Sequence, residues 1–392
     1  MTWRLPPRWV RRVVLAPAVV LLAVVVLPVG VLLLAFVAGV ISWLLPGRLR
    51  TARVLWMAIF YLFWDAVVVV VAFALWVGSG FGWRLRSTAF QRAHYAFAAH
   101  MLQVLFWQVR WTLRLSIEID EADLDRTAEG RPLVVASRHA GPGDSFILVH
   151  ALLNWFDREP RVVLKDTLQW DPAIDVLLNR LPAQFVTPRS ARRDGAPTTT
   201  SGVARLAEHL GPRGALLIFP EGGNVTPRRR LARIEALRRA GHPELAVQAE
   251  QMTNVMAPHA GGLLTAVDAA PDAPVVFVAH TGLERLVTVA DIWRELPMDK
   301  RIVMKGWSVP PGQVPADEAG QVDWLFEWWG RIDRWIEDHE AVVAGLGHNV
   351  EAVTAPARPP GIVAPEDDAS SASAAAVPDD ESPADPEPSV AP

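Results

Sequence analysis

Residues 133–145 read LVVASRHAGPGDS, an apolar run followed by a histidine, a Gly-Pro-Gly turn and an aspartate. The run Leu133–Ala136 is short and continuous, as in a strand buried on both faces. Because Gly-Pro-Gly favours a turn, we expect the carboxylate of Asp144 to fold back toward the imidazole of His139. A carboxylate on one ring nitrogen leaves the other able to take a proton from a hydroxyl. A purely structural histidine at a strand end is the alternative.

Similar apolar runs recur along the chain between segments of helical character. Residues 113–120 alternate apolar and polar side chains, which predicts a half-buried strand. The alternation of strands and helices predicts an α/β fold, a mixed sheet flanked by helices. The other expected strands are Leu133–Ala136, Val162–Leu164, Gln184–Val186, Ala215–Phe219, Val275–Ala279 and Ile302–Met304.

Two of these strands are followed by residues of chemical interest. Residues 219–224 read FPEGGN, so Pro220 ends a strand and Glu221, Gly222 and Gly223 follow it. We expect an exposed carboxylate and free backbone N–H groups there, at the edge where α/β sheets bind ligands. Residues 184–189 read QFVTPR and place Arg189 just past another strand. Arginine suits phosphate because its planar fork donates paired hydrogen bonds, although for this motif taken alone a solvated charged loop is the better explanation.

The amino terminus is apolar enough for a membrane. Val13 to Leu45 is 33 residues without a charge, and a straight helix of that length would be about 50 Å long, against a hydrocarbon core of about 30 Å. Val54 to Val77 is a second apolar stretch. Either each stretch spans once, or Pro28 and Gly30 turn the first into a re-entrant pair. A cleaved signal peptide is a weaker alternative, since its apolar region would be much shorter.

Arginines flank both apolar stretches and suggest an orientation. If each stretch spans once, seven arginines lie on one side and three on the other. The positive-inside rule makes the richer side cytoplasmic, which predicts a cell-membrane protein with its catalytic domain facing the cytoplasm. Trp107 and Trp111 lie in an expected helix that either touches the membrane interface or is a buried connector.

Three regions follow from these patterns: membrane-anchoring helices at 1–88, an α/β domain at 89–350 and a tail at 351–392. The tail carries nine acidic residues and one arginine, so the net charge of -4 for the chain hides a basic remainder. Its Ala, Pro and Ser content predicts disorder.

Near the end of the α/β domain, apolar residues from Leu325 to Ile336 recur at helical spacing and predict an amphipathic helix packed on the domain or on lipid. The chain has no cysteine, which excludes disulfides and thiol chemistry.

The order of the motifs resembles the glycerolipid acyltransferase superfamily, and most closely its 1-acylglycerol-3-phosphate acyltransferases. The resemblance rests on His139-x4-Asp144, on Phe185-x3-Arg189, on Phe-Pro-Glu-Gly at 219–222, and on an apolar strand that begins at Pro274. It covers about residues 110–310 and extends weakly to the apolar amino terminus. The separation of 82 residues between His139 and Glu221 is close to that of the family.

The resemblance implies roles for individual residues. His139 would be the general base and Asp144 would orient it. Arg189 would bind the acceptor phosphate with Lys165 as a helper, and Glu221, Gly222 and Gly223 would also contact the acceptor. It implies a fatty acyl thioester donor, acyl-CoA or acyl carrier protein, and a lysophospholipid acceptor in a membrane. No metal, cofactor or nucleic acid is implied.

Some residues depart from the family pattern and keep other functions open. Arg138 stands where most members have asparagine, and Asn224 stands in place of an arginine that Arg228, Arg229 or Arg230 would replace. These three more naturally form a solvated or lipid-facing helix start. A membrane-anchored lipid-binding protein with a degenerate site is one alternative. A Gly-Asp-Ser esterase using Ser145 is another, although the expected Asp-x-x-His is missing.

Overall fold

The computed structural model describes residues 5–44, 49–120, 130–141, 143–187, 199–282 and 300–345. A short helix at Arg8–Val10 and a π-helical turn at Arg11–Leu15 lead into α1. The other helices, in chain order, are α1 Ala16–Leu44, α2 Arg50–Gly78, α3 Thr88–Leu113, α4 Asp144–Asn154, α5 Pro172–Leu178, α6 Thr199–Ala207, α7 Pro227–Arg239, α8 Pro243–Gln251, α9 Ala260–Ala269 and α10 Glu318–Gly345. Short 3-10 turns lie at Asp166–Trp170 and Pro311–Gln313.

The described strands form one mixed sheet, as the apolar runs predict. The strands are β1 Leu115–Asp120, β2 Leu133–Ser137, β3 Glu159–Lys165, β4 Ala183–Val186, β5 Gly214–Ile218, β6 Val275–Thr281 and β7 Lys300–Val309. Their order is β1-β7-β6-β2-β5-β3-β4. Every neighbouring pair is parallel except β6 with β7, whose antiparallel register pairs Phe277 with Trp307. The strand expected from 113 begins at Leu115, because α3 continues to Leu113 and Arg114 closes it with a positive φ of 54°.

Two hydrophobic clusters cover the two faces of the sheet. Because side chains alternate across a strand, Leu133 and Val135 face the cluster built with α2, α3, α4 and α5. Val134 and Ala136 face the other cluster, built with α6 to α10. Both faces of β2 are therefore buried, and the whole strand is apolar for that reason. The predicted amphipathic helix is α10, whose apolar side packs on the domain.

The first apolar stretch does not turn back at Pro28. Helix α1 runs through Pro28, so the re-entrant alternative is wrong in this structure. Gly30 has a packing role instead, because a Cβ there would lie 2.9 Å from Cδ1 of Ile59 on α2. Two segments, Arg8–Ile41 and Arg50–Gly78, are long and apolar enough to cross a membrane by length and composition.

Helix α2 also packs against the α/β domain along much of its length. Trp64 donates to the carbonyl of Met101 on α3 at 2.8 Å, and Asp65 accepts from the backbone of Ala173 on α5 at 2.8 Å. Residues 1–357 form one compact unit. The division at residue 88 remains a prediction, and the tail from 351 lies outside the described residues.

Candidate active site

His139 lies just past the carboxyl end of β2, in the middle of the sheet. Asp144 is the first residue of α4, and the turn between them brings the two side chains together. Nδ1 of His139 lies 3.0 Å from Oδ2 of Asp144, and the same oxygen accepts a hydrogen bond from the backbone of Gly141 at 2.8 Å. The local turn thus produces the pairing expected from the sequence. Its chemical role is taken up under the proposed function.

The environment keeps the Asp144 carboxyl ionised. Burial by itself raises the pKa of Asp144, but His280 and the hydrogen bonds from His139 and Gly141 outweigh it, and the pKa lies below its usual value. The start of α4 adds to this, since a helix amino terminus favours negative charge. A charged Asp144 places the proton of neutral His139 on Nδ1. The pair therefore has the tautomer that a general base requires.

The outer side of the imidazole is accessible. The His139 side chain is 16% exposed, while that of Asp144 is fully buried. Among the described residues, Nε2 of His139 has no hydrogen-bond partner. The ring packs on Phe219 with its centroid at 4.8 Å, and the backbone of Val225 donates to the carbonyl of His139 at 3.3 Å. The His139 motif and the 219–224 motif therefore meet in one site.

Glu221 does not expose its carboxylate, and that expectation was wrong. The residue is 1% exposed. Oε2 accepts from the backbone of His139 at 2.9 Å, and Oε1 accepts from the backbone of Met256 at 3.2 Å and from Nε1 of Trp329 at 3.3 Å. Burial raises the pKa of Glu221 to about 7, against the pull of Arg138 and these donors. Both oxygens are thus bound to the protein, beneath the site.

Gly222 and Gly223 form a tight loop with positive φ angles of 69° and 149°, a conformation that favours glycine. A Cβ on Gly223 would lie 2.4 Å from a guanidinium nitrogen of Arg229, which donates to the carbonyls of Asn224 at 2.9 Å and Gly222 at 3.3 Å. The loop therefore holds Arg229 close to the motif. Whether Gly222 and Gly223 contact an acceptor stays a prediction.

Several of the arginines after this loop donate hydrogen bonds to backbone carbonyls of the protein. Arg230 donates to the carbonyls of Met252 and Glu250, each at 2.6 Å, and Arg233 donates to that of Pro258 at 3.0 Å. Helix α7 therefore uses these side chains to hold the 249–258 segment. Arg228 is exposed. Of the three candidates for the missing family arginine, Arg229 is the one whose guanidinium contacts the 222–224 loop.

Arg138 supports the site from behind. It is 1% exposed, and it donates to the carbonyls of His280 at 2.7 Å and Asn254 at 3.1 Å. The family asparagine is thus replaced by a buried side chain that joins the end of β6 to the 254 loop. This departure does not block the site.

The two proposed phosphate ligands differ in what the structure shows. Lys165 is exposed at the carboxyl end of β3. Strand β3 lies two strands from β2, so at the usual strand spacing these two strands are about 10 Å apart. Arg189 lies outside the described residues, so its position relative to His139 stays a prediction.

Ser145 is on α4 and makes no hydrogen bond to a histidine within the described ranges. The structure therefore gives no support to the esterase alternative.

An apolar recess lies between α4 and the sheet. Leu148, one turn beyond Asp144 on α4, lines it, as do Ala151, Val135 and Val278. Lys305 and Arg158 supply its charged lining residues. Leu148 is the lining residue of α4 nearest in sequence to Asp144, and neither His139 nor Asp144 lines the recess.

Residues 118–281 match the family model described as Acyltransferase. They form an acyltransferase domain. The match spans His139, Asp144, Lys165 and Glu221, and over this stretch it confirms the resemblance to the glycerolipid acyltransferase superfamily. No curated protein matches the chain significantly in sequence.

Among solved structures, the chain is similar to the crystal structure of the 1-acyl-sn-glycerophosphate (LPA) acyltransferase PlsC from Thermotoga maritima. The sequence identity is 14% and the TM-score is 0.40, over 84% of this chain and 98% of that chain. A likeness of this size supports no inference about the substrate.

Several residues that support the site were missed by the sequence reasoning. His280, Asn254 and Trp329 contact Asp144, Arg138 and Glu221 respectively, but all three lie more than 100 positions after His139. Only His280 had a usable signal, as a polar residue at the end of an apolar strand.

Proposed function

We propose that the acyltransferase domain transfers a fatty acyl group from an acyl thioester to the hydroxyl of a lysophospholipid such as 1-acylglycerol-3-phosphate. The observation that carries the proposal is the contact of 3.0 Å between Nδ1 of His139 and a buried, ionised Asp144. Within a domain that matches the acyltransferase family, this pair supplies the base that acyl transfer to a hydroxyl needs.

The proposed reaction uses Nε2 of His139. As the acceptor hydroxyl attacks the thioester carbonyl, Nε2 takes its proton, and Asp144 stabilises the imidazolium that results. The tetrahedral intermediate then collapses, the C–S bond breaks, and the imidazolium returns the proton to the leaving thiolate. The products are an ester and a free thiol, of coenzyme A or acyl carrier protein, and His139 is regenerated.

The acceptor phosphate requires cations near the site, and we assign them to Lys165 and Arg189. Replacing Lys165 with methionine is expected to raise the KM for lysophosphatidic acid by about tenfold, through loss of one exposed charged hydrogen bond. The KM for monoacylglycerol, which lacks the phosphate, should not change. Arg213→Met is the matched control, since Arg213 precedes β5 at the opposite edge of the sheet and pairs with Asp157. Equal effects on both acceptors would contradict the assignment.

The apolar recess beside α4 is the proposed place for the acyl chain. Replacing Ala151, which lines the recess, with methionine adds buried volume there, and each methylene displaced is worth about 0.8 kcal/mol. Selectivity for short over long acyl thioesters is expected to rise by about tenfold, measured as the ratio of kcat/KM values. Leu153→Met on the same helix conserves volume and should leave the ratio unchanged. A ratio unaffected by Ala151→Met would exclude the recess.

Membrane association belongs to the same proposal. The two apolar helical segments would hold the domain at a bilayer, and the exposed Trp107 and Trp111 on α3 suit an interface. The cytoplasmic orientation stays a prediction. Sedimentation with vesicles of the full chain and of a variant lacking residues 1–48 tests the role of α1.

The decisive assay measures thiol release from an acyl thioester by the full chain in detergent or vesicles. Release should require an acceptor, and an acceptor panel should show phosphate-bearing lysophospholipids turned over best. A lipid-binding protein with a degenerate site would associate with vesicles but release no thiol with any acceptor. Thiol release that needs no acceptor would instead indicate hydrolysis of the thioester and would contradict the proposed transfer to a lysophospholipid.

A further inference from the structure

His280 is a second histidine at the His139–Asp144 pair, and the proposed reaction does not use it. It lies at the carboxyl end of β6, next to β2 in the sheet, where Val278 pairs with Ser137. The residue is 2% exposed. It is therefore closed off from the substrate side, unlike His139.

Asp144 lies between the two imidazoles. Nε2 of His280 is 3.7 Å from Oδ2 of Asp144, the same oxygen that contacts Nδ1 of His139 at 3.0 Å. Nε2 of His280 is also 3.4 Å from the carbonyl oxygen of Arg138. Both neighbours of this nitrogen are acceptors, so it carries a proton and its N–H is directed between them. At 3.7 Å the interaction with Asp144 is electrostatic and not a hydrogen bond.

The Asp144 carboxylate is held through one of its two oxygens. Oδ2 receives its two hydrogen bonds from the turn itself, and within the described residues Oδ1 has no hydrogen-bond partner. A carboxylate held at one oxygen can rotate about its Cβ–Cγ bond, which changes the direction of the bond to His139. The N–H of His280 approaches the same Oδ2 from the buried side, and its attraction for that oxygen opposes the rotation.

His280 is itself held in place by the rest of the domain. Its carbonyl accepts from Arg138, which also donates to Asn254, and the backbone of Asn254 donates to Asp333 of α10 at 2.6 Å. The backbone of His280 thus belongs to a chain of hydrogen bonds that runs from the site into the core. Such support from behind is what keeps a reacting side chain within its productive geometry.

We propose that His280 is a positioning residue that holds the Asp144 carboxylate in line with His139 from the buried side. The inference rests on the proposed function, because the alignment of Asp144 with His139 affects turnover only if His139 is the general base. Within the part of the chain that the structure describes, the charged and titratable groups near it are Asp144 and His139 at the site and Arg138 behind it. Its contribution is to the turnover step and not to substrate binding.

The test compares three substitutions of His280 in the full chain. His280→Leu and His280→Asn remove the donor from the position of Nε2, whereas His280→Gln restores an amide donor near it. We expect kcat to fall by about tenfold or more in the first two, with KM for donor and acceptor within twofold of wild type. His280→Gln should recover most of kcat. Rates are normalised to the folded fraction measured by circular dichroism.

The outcomes separate this inference from the reaction on which it rests. Wild-type kcat in His280→Asn or His280→Leu, or a His280→Gln variant as slow as they are, would overturn the positioning role. A rise in KM at constant kcat would overturn it as well. His139→Ala is assayed in parallel, and if it retains full activity, then the proposed function itself fails whatever the His280 variants do.

Discussion

Replacing His139 with alanine is expected to lower kcat for acyl transfer by about 10³-fold, within the range of about 10² to 10⁴ typical of general-base catalysis. The imidazole is the exposed member of the pair, and its Nε2 has no hydrogen-bond partner among the described residues. Its loss leaves the hydroxyl without a base near neutral pH. The KM for each substrate should change little, because the ring contributes mainly in the transition state.

The measurement is acceptor-dependent thiol release at saturating donor and acceptor. His242→Ala is a suitable control, since His242 is an exposed histidine that precedes α8 without a side-chain capping bond. Asp144→Asn should be intermediate, because an amide can still contact Nδ1 but cannot stabilise the imidazolium as a charge does. Undiminished turnover in His139→Ala would refute the assignment of the base.

Ser145→Ala distinguishes the transferase from the esterase that the sequence left open. The variant should keep nearly full activity, since Ser145 makes no hydrogen bond to a histidine among the described residues. If Ser145→Ala abolished turnover while His139→Ala kept some, a serine nucleophile would replace the proposed mechanism.

The strands of the sheet could be predicted because the pattern that indicates each strand lies within that strand's own residues. Strands such as β2 and β5 are buried on both faces, so each appears in the sequence as a short, continuous apolar run. The behaviour of Pro28 was not predictable in this way. Gly30 is small because α2 packs against it at Ile59, and that partner is known only once the two helices are placed together.

The candidate site shows the same difference between contacts that are local in sequence and contacts from distant segments. His139 and Asp144 are five residues apart, so a turn motif is enough to pair them. The fate of the Glu221 carboxylate depends on Met256 and Trp329, which come from a distant loop and a distant helix. Nothing in residues 219–224 indicates those donors. The sequence therefore predicted the position of the motif, but the expectation of an exposed carboxylate was wrong.

Replacing Glu221 with alanine is expected to lower the free energy of unfolding by about 3–5 kcal/mol, the usual cost of removing one partner from a buried charged network. Three buried N–H groups, of His139, Met256 and Trp329, lose their acceptor. Arg138, which acts electrostatically on Glu221, loses that attraction. Equilibrium urea unfolding of the detergent-solubilised chain measures the effect.

Glu221→Gln sharpens the same test. All of the hydrogen bonds to the carboxylate come from N–H donors, so an amide nitrogen placed at either oxygen would face a donor. We expect a smaller loss of about 1–3 kcal/mol, the cost of one unsatisfied buried group. A residue that bound the acceptor, as the resemblance implies, would behave differently: the KM for lysophosphatidic acid would rise while stability stayed at the wild-type value. That result would return Glu221 to the substrate side of the site. A stability loss with an unchanged KM assigns it to the framework that holds the backbone of His139.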